Sequence, residues 1–148
     1  MKKKLLLVLF IATLLLAGCS GGGLSKEAKA LYNEQMGYYI QSAEAMKQIV
    51  ESDTPVFAST FSTGFFHLNE AERKVWDGAD FGEEMQGYLT KGKGIDDDYK
   101  ILSEANTDYT LFAKTKEEKD VAAQKYVELF NQMKTKYEGF DFTLKTYE

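Results

Sequence analysis

Cys19 is the only cysteine of this 148-residue chain, and Pro55 is its only proline. A chain with one cysteine cannot close a disulfide on itself, so burial and hydrogen bonding must hold the fold. With a single proline to interrupt it, the backbone is free to run in long helices. The expected class is therefore all-α, a small up-and-down bundle of about four helices. The apolar spacing agrees. From Leu24 to about Glu51, Leu24, Ala28, Leu31, Gln35, Tyr38, Ser42, Ala45 and Ile49, with Tyr32, Met36, Tyr39, Ala43, Met46 and Val50 beside them, recur in steps of three and four, which predicts a core-facing helix. Gly37 interrupts it at a cost of about 1 kcal/mol relative to alanine and is expected to mark a close helix contact.

A second helix is predicted from Pro55 to Trp76 or Gly78, with Thr54 as its cap and proline in its first turn. Ser59, Thr60, Ser62, Thr63 and Gly64 weaken its first half. Phe81, Met85, Tyr88 and Leu89 suit a short helix around residues 81–90. Lys91-Gly92-Lys93-Gly94 then reads as a turn or loop, and Asp96, Asp97 and Asp98 as the cap of the next helix. That helix carries Tyr99, Leu102, Ala105, Tyr109 and Phe112 on one face. Thr115 and Glu118 have the spacing of a capping box. The last helix comes next, with Val121, Tyr126, Leu129, Phe130, Met133 and Tyr137 inward, and Gly139 ends it. Phe140 to Lys145 alternates like a strand without an evident partner strand, so it is expected as an extended tail packed by its aromatic residues.

The first residues are of another kind. Lys2, Lys3 and Lys4 precede an apolar run from Leu5 to Leu16, broken only by Thr13. A basic start, a short apolar stretch and then small residues have the layout of an export signal. The run is short for a membrane span, which needs roughly 17–25 residues. Directly after it, Leu16-Ala17-Gly18-Cys19 resembles the lipobox of bacterial lipoproteins. The resemblance covers only the first stretch of the chain. It implies that Cys19 is alkylated with diacylglycerol, that a dedicated signal peptidase cuts between Gly18 and Cys19, and that Cys19 becomes the N-terminus. The expected division is residues 1–18 as signal peptide, 19–24 as a lipidated, flexible Gly-rich tether, and 25–148 as one helical domain. Two acyl chains give a stable anchor where one is marginal, and the lipid accounts for an unpaired cysteine in an exported chain. The expected location is the extracytoplasmic face of a cell membrane. The lysine-rich signal and glycines suit a Gram-positive cell, and Ser20 also suits outer-membrane sorting in a Gram-negative one; both stay open.

The formal charge of −5 becomes −8 once the three signal lysines are removed. Such an acidic body argues against nucleic acid, which needs clustered Lys and Arg, and against lying flat on anionic lipid. The partners expected are the membrane, through the anchor, and an exported protein or a cell-envelope component.

Catalytic residues are hard to assemble from this composition. His67 is the only histidine and stands after Phe65-Phe66, where it reads as a surface or core-edge residue rather than a base. Nitrogen and sulfur ligands are too few for zinc. A haem site would need His67 with Met36 or Met46, and no attachment motif accompanies them. Asp96 to Asp98 lack the spacing of a calcium loop, and Glu83-Glu84 is too common a pair in an acidic chain to mark acid–base chemistry. Gly92-Lys93-Gly94 lacks the rest of a phosphate-binding loop. The chain reads as non-enzymatic, with no metal and no cofactor beyond the lipid on Cys19. Nine tyrosines and the nine phenylalanines outside the expected signal would fill the core; the alternative is a small-ligand-binding module with an aromatic-lined pocket.

Overall fold

The computed structural model describes residues 23–58, 61 and 66–148. The expected signal peptide, the lipobox-like Leu16–Cys19 and the first part of the expected tether lie outside the described residues. So do Ser59, Thr60, Ser62, Thr63, Gly64 and Phe65 of the expected second helix.

Four α-helices are set by local chemistry. Helix α1 spans Lys26–Glu51 and starts where the Ser25 side chain accepts a hydrogen bond from the Ala28 N–H. Helix α2 is Glu70–Asp77, opened by a capping box of Asn69 with Glu72. Helix α3 is Gly82–Thr107 and continues into one wider π-helical turn, Asp108–Phe112. Helix α4 is Lys116–Lys136 and begins at the expected capping box of Thr115 with Glu118. Two orphan N–H groups are satisfied reciprocally at each box. Gly139, at φ 66°, takes the left-handed conformation just beyond α4 that glycine adopts most readily. No strand occurs among the described residues, and the chain is an all-α bundle.

The expected helix from Pro55 to Trp76 or Gly78 does not run through the described residues of that stretch, among which only α2 and its turn are helical. The described residues from Ser52 to Asn69 are extended or irregular because side chains of the long helices take up their backbone groups. Asn106 accepts from the Ala58 N–H and donates to the Ala58 carbonyl. The Tyr126 hydroxyl donates to the Val56 carbonyl, and the Lys134 ammonium to that of Ser52. A run with its polar groups met in this way no longer needs helical bonds.

The expected loop at Lys91–Gly94 is also absent, and the short helix around 81–90 is simply the start of α3. Pairs one turn apart, Lys93 with Asp97 and Asp96 with Lys100, brace the glycine-containing stretch. Gly92 supplies the close contact that the sequence suggested for Gly37. A Cβ at Gly92 would lie 2.7–2.9 Å from the Tyr39 side chain, whereas one at Gly37 would meet nothing within 4 Å.

Contacts climb α1 and α3 together. The Tyr32 hydroxyl donates to the Met85 carbonyl, Tyr39 sits on Gly92, and the Ser42 hydroxyl donates to Asp96. The two long helices are therefore parallel neighbours. In a regular up-and-down bundle the first and third helices stand on a diagonal. Here the returning second element is mostly extended, and α1 and α3 meet directly. Helix α4 runs back along α3, pairing Lys125 with Asp108 and Lys136 with Asp98. The tail continues down α1: Phe142 lies near Lys47, Leu144 near Ile40, and Tyr147 reaches Asn33.

The core has two parts. Met46, Ile95, Tyr99, Leu102, Tyr126, Phe130 and Tyr137 fill the half toward the end of α1. Ala28, Tyr32, Met36, Phe81 and Leu89 fill the half near its start. Two residues expected on core faces point outward. Phe112, 67% exposed, lies in the π-helical turn, whose extra residue changes the angular phase of its side chains; Val121, 69% exposed, lies in the second turn of α4.

Candidate functional site

A cleft of about 400 Å³ opens beside the first half of α3. Helix α1 contributes Gln35 and Tyr39, and α3 contributes Gln86, Leu89, Thr90 and Lys93. The third wall comes from α2 and the residues before it: Phe66, His67, Leu68, Arg73 and Trp76. The only histidine, the only arginine and the only tryptophan of the chain thus line one depression. The Asn69–Glu72 capping box ends the irregular run there and fixes the start of α2. Arg73 and Trp76, three positions apart, then share one helix face.

Packing holds the aromatic wall. Trp76 lies 4.8 Å from the Phe81 ring and 6.4 Å from Phe66, centre to centre, and Phe66 lies 6.0 Å from Tyr38. Phe81 is buried and also contacts Tyr32, so the indole is backed by the core. The Tyr39 hydroxyl is pushed up to about 12, first by burial and then by Asp96 and Asp97; it stays a neutral hydrogen-bonding group at ordinary pH.

The charge at the cleft is unlike that of the chain. Among the described residues no Asp or Glu lines it, although acids outnumber bases in the chain, 23 against 18. Lys93 is paired with Asp97, and that hydrogen bond holds its ammonium above the usual lysine range. Arg73 is exposed, and among the described residues its guanidinium has no ion pair or hydrogen bond. A larger groove of about 620 Å³ runs past Gly87, Gly94, Ile95 and Phe140. Its lysines are already engaged: Lys91 with Asp141 and the Thr143 carbonyl, Lys136 with Asp98. Among the described residues, the smaller cleft keeps a cation, Arg73, with no ion pair.

The other residues singled out in the sequence have structural surroundings. The three consecutive aspartates lie inside α3 rather than at its start, each with its own partner. Asp96 is buried against Ser42 and Lys100, Asp97 meets Lys93, and Asp98 takes Lys136 and the Tyr137 hydroxyl. Burial and then the Asp98 contact raise the Tyr137 hydroxyl far above the usual tyrosine range. Glu84 pairs with Lys145 of the tail, and Glu83 lies exposed in the first turn of α3. Met36 and Met46 have no exposed surface, while His67 stands exposed at the cleft. Tyr32, Tyr99, Tyr126 and Tyr137 are core residues, leaving Tyr39 as the tyrosine of the cleft. Among the described residues, no three His, Cys, Asp or Glu side chains gather to hold a metal ion. No helix among them is long and apolar enough to cross a membrane.

Sequence reasoning singled out His67 but missed Arg73, Trp76, Gln35 and Gln86. The available signal was the placement of three residue types, each used once, between positions 67 and 76. No family model, curated protein or solved structure matches the chain.

Proposed function

We propose that this chain is an exported lipoprotein, anchored through diacylglycerol on Cys19 to the extracytoplasmic face of a membrane. Its helical body works there as a non-enzymatic interaction or binding protein, meeting an exported protein or a cell-envelope component. One observation carries the anchor: Leu16-Ala17-Gly18-Cys19 stands directly behind a lysine-led apolar run. The absence of any second cysteine supports it, since lipidation gives the lone thiol a use.

The Cys19→Ser variant tests the anchor in cells. It is expected to lose incorporation of labelled palmitate and to leave the membrane fraction or accumulate uncut. A variant that stays membrane-bound and is cut at the same place contradicts the reading. Crosslinking on intact cells tests the body: a reproducible extracytoplasmic partner is expected, and repeated recovery of none counts against an interaction role.

A second reading, a module that binds a small ligand, is favoured by the cleft between α1, α2 and α3. Its volume of about 400 Å³ falls in the range of small-molecule sites, and it joins aromatic walls to a few polar groups.

A further inference from the structure

We infer that the cleft takes a small organic anion bearing a ring, with its acidic group on Arg73 and its ring against Trp76 and Phe66. The inference rests on the small-ligand reading and adds the chemical class. It needs neither the lipid anchor nor a protein partner.

Three observations converge. Arg73 is the chain's single arginine, and among the described residues its guanidinium has no partner. A planar guanidinium with five donors matches a carboxylate, phosphate or sulfonate through paired hydrogen bonds, which a lysine cannot reproduce. Among the described residues the lining holds no carboxylate to repel an incoming anion, and the nearby Asp97 is already offset by Lys93. A cationic ligand would meet Arg73 and find no counter-charge.

The ring requirement comes from the other wall. Trp76 and Phe66 are half-buried and held by Phe81 and Tyr38. They offer a flat apolar surface one helical turn from the guanidinium. An exposed arginine alone binds an inorganic anion weakly because solvent screens the charge. Apolar area beside it adds affinity in proportion to what leaves water. The amides of Gln35 and Gln86 lie on the remaining sides and can serve hydroxyl or carbonyl groups on the ring.

Trp76, the only tryptophan, supplies the reporter. The full chain, extracted from membranes into a neutral detergent, is titrated while the Trp76 indole N–H resonance is monitored. The probes are phenyl phosphate, benzoate, benzyl alcohol, benzylamine and inorganic phosphate. Saturable shifts are expected with phenyl phosphate and benzoate. Binding of benzyl alcohol, benzylamine and inorganic phosphate is expected at least tenfold weaker. Arg73→Gln should weaken the two aromatic acids at least tenfold while keeping the wild-type melting temperature. Thr90→Phe, which adds bulk to the cleft from α3 and leaves the Arg73 charge in place, should weaken them as well. If all ring compounds bind alike, or Arg73→Gln binds the acids as well as wild type, the anion inference is overturned and the small-ligand reading stands. If no probe gives a saturable shift, both fall.

Discussion

The two halves of the α1–α3 pair are closed in different ways. Toward the end of α1, a full helix covers the pair: α4 brings Tyr126, Phe130 and Met133 inward, and Phe61 packs on Tyr99 and Tyr126 from the other side. Near the start of α1, the cover is the eight-residue α2 and the irregular tail. Asparagine clamps of the same form hold an irregular segment in each half. Asn106 grips both backbone groups of Ala58, and Asn33 grips both of Tyr147. The first clamp is 1% exposed and the second half-buried. One half is thus a closed core, and the other leaves room for the cleft, because a short helix cannot cover what a long one would.

The largest way to break this contrast is alkali. Burial pushes the Tyr32 and Tyr126 hydroxyls from 10.0 up to about 12, and those of Tyr99 and Tyr137 also rise, mainly through burial. The folded state then keeps protons that the unfolded chain gives up above pH 10. Stability is fully present below that pH and declines above it, by about 1.4 kcal/mol per tyrosine for each pH unit up to its raised value. Three of these four tyrosines sit in the closed half. Melting measured between pH 9 and 12 should show one steep global loss, and an unchanged melting temperature up to pH 12 would contradict their burial.

Asn106→Ala comes next. It strands the N–H and carbonyl of Ala58 and leaves a small void, costing about 3 kcal/mol in chemical denaturation. Asn33→Ala should cost about 1 kcal/mol, with faster hydrogen exchange confined to the tail. Equal losses would erase the difference between the halves. Gly92→Ala places a Cβ against the Cβ and Cγ of Tyr39, atoms with little freedom to move, and should cost about 2 kcal/mol despite the better helix propensity of alanine. Arg73→Gln is expected to change stability by less than about 0.5 kcal/mol, because Arg73 is exposed and has no partner among the described residues.

Where periodicity was long and the caps unambiguous, the sequence foretold the fold. Helix α1, the Thr115–Glu118 box and the stop at Gly139 all depend on neighbours in the chain. The extended run after Ser52 was not legible, because what overrides Thr54-Pro55 is a set of distant side chains, Asn106, Tyr126 and Lys134. Likewise Gly92 looks like a loop glycine until Tyr39 of another helix is placed on it. Asp96, Asp97 and Asp98 resemble a cap until three separate partners claim them. The Asn69–Glu72 box carries the same local signal as Thr115–Glu118 but was hidden inside an expected longer helix. The cleft was the least legible of all. Its Arg73 and Trp76 come from α2, whose start at the Asn69–Glu72 box falls inside the expected longer helix.

Under the proposed anchor, Cys19 sets which half would face the bilayer. Six residues, Ser20 to Ser25, can reach at most about 20 Å, whereas α1 is about 39 Å long. A lipid on Cys19 would therefore hold the open half, with its cleft, on the membrane side, and leave the closed half farther out. Intact-mass measurement on the protein extracted from membranes tests the anchor itself most directly. The predicted result is a chain beginning at Cys19 and carrying a diacylglycerol adduct. A chain with an unmodified Cys19 thiol, or one beginning at another residue, would contradict it.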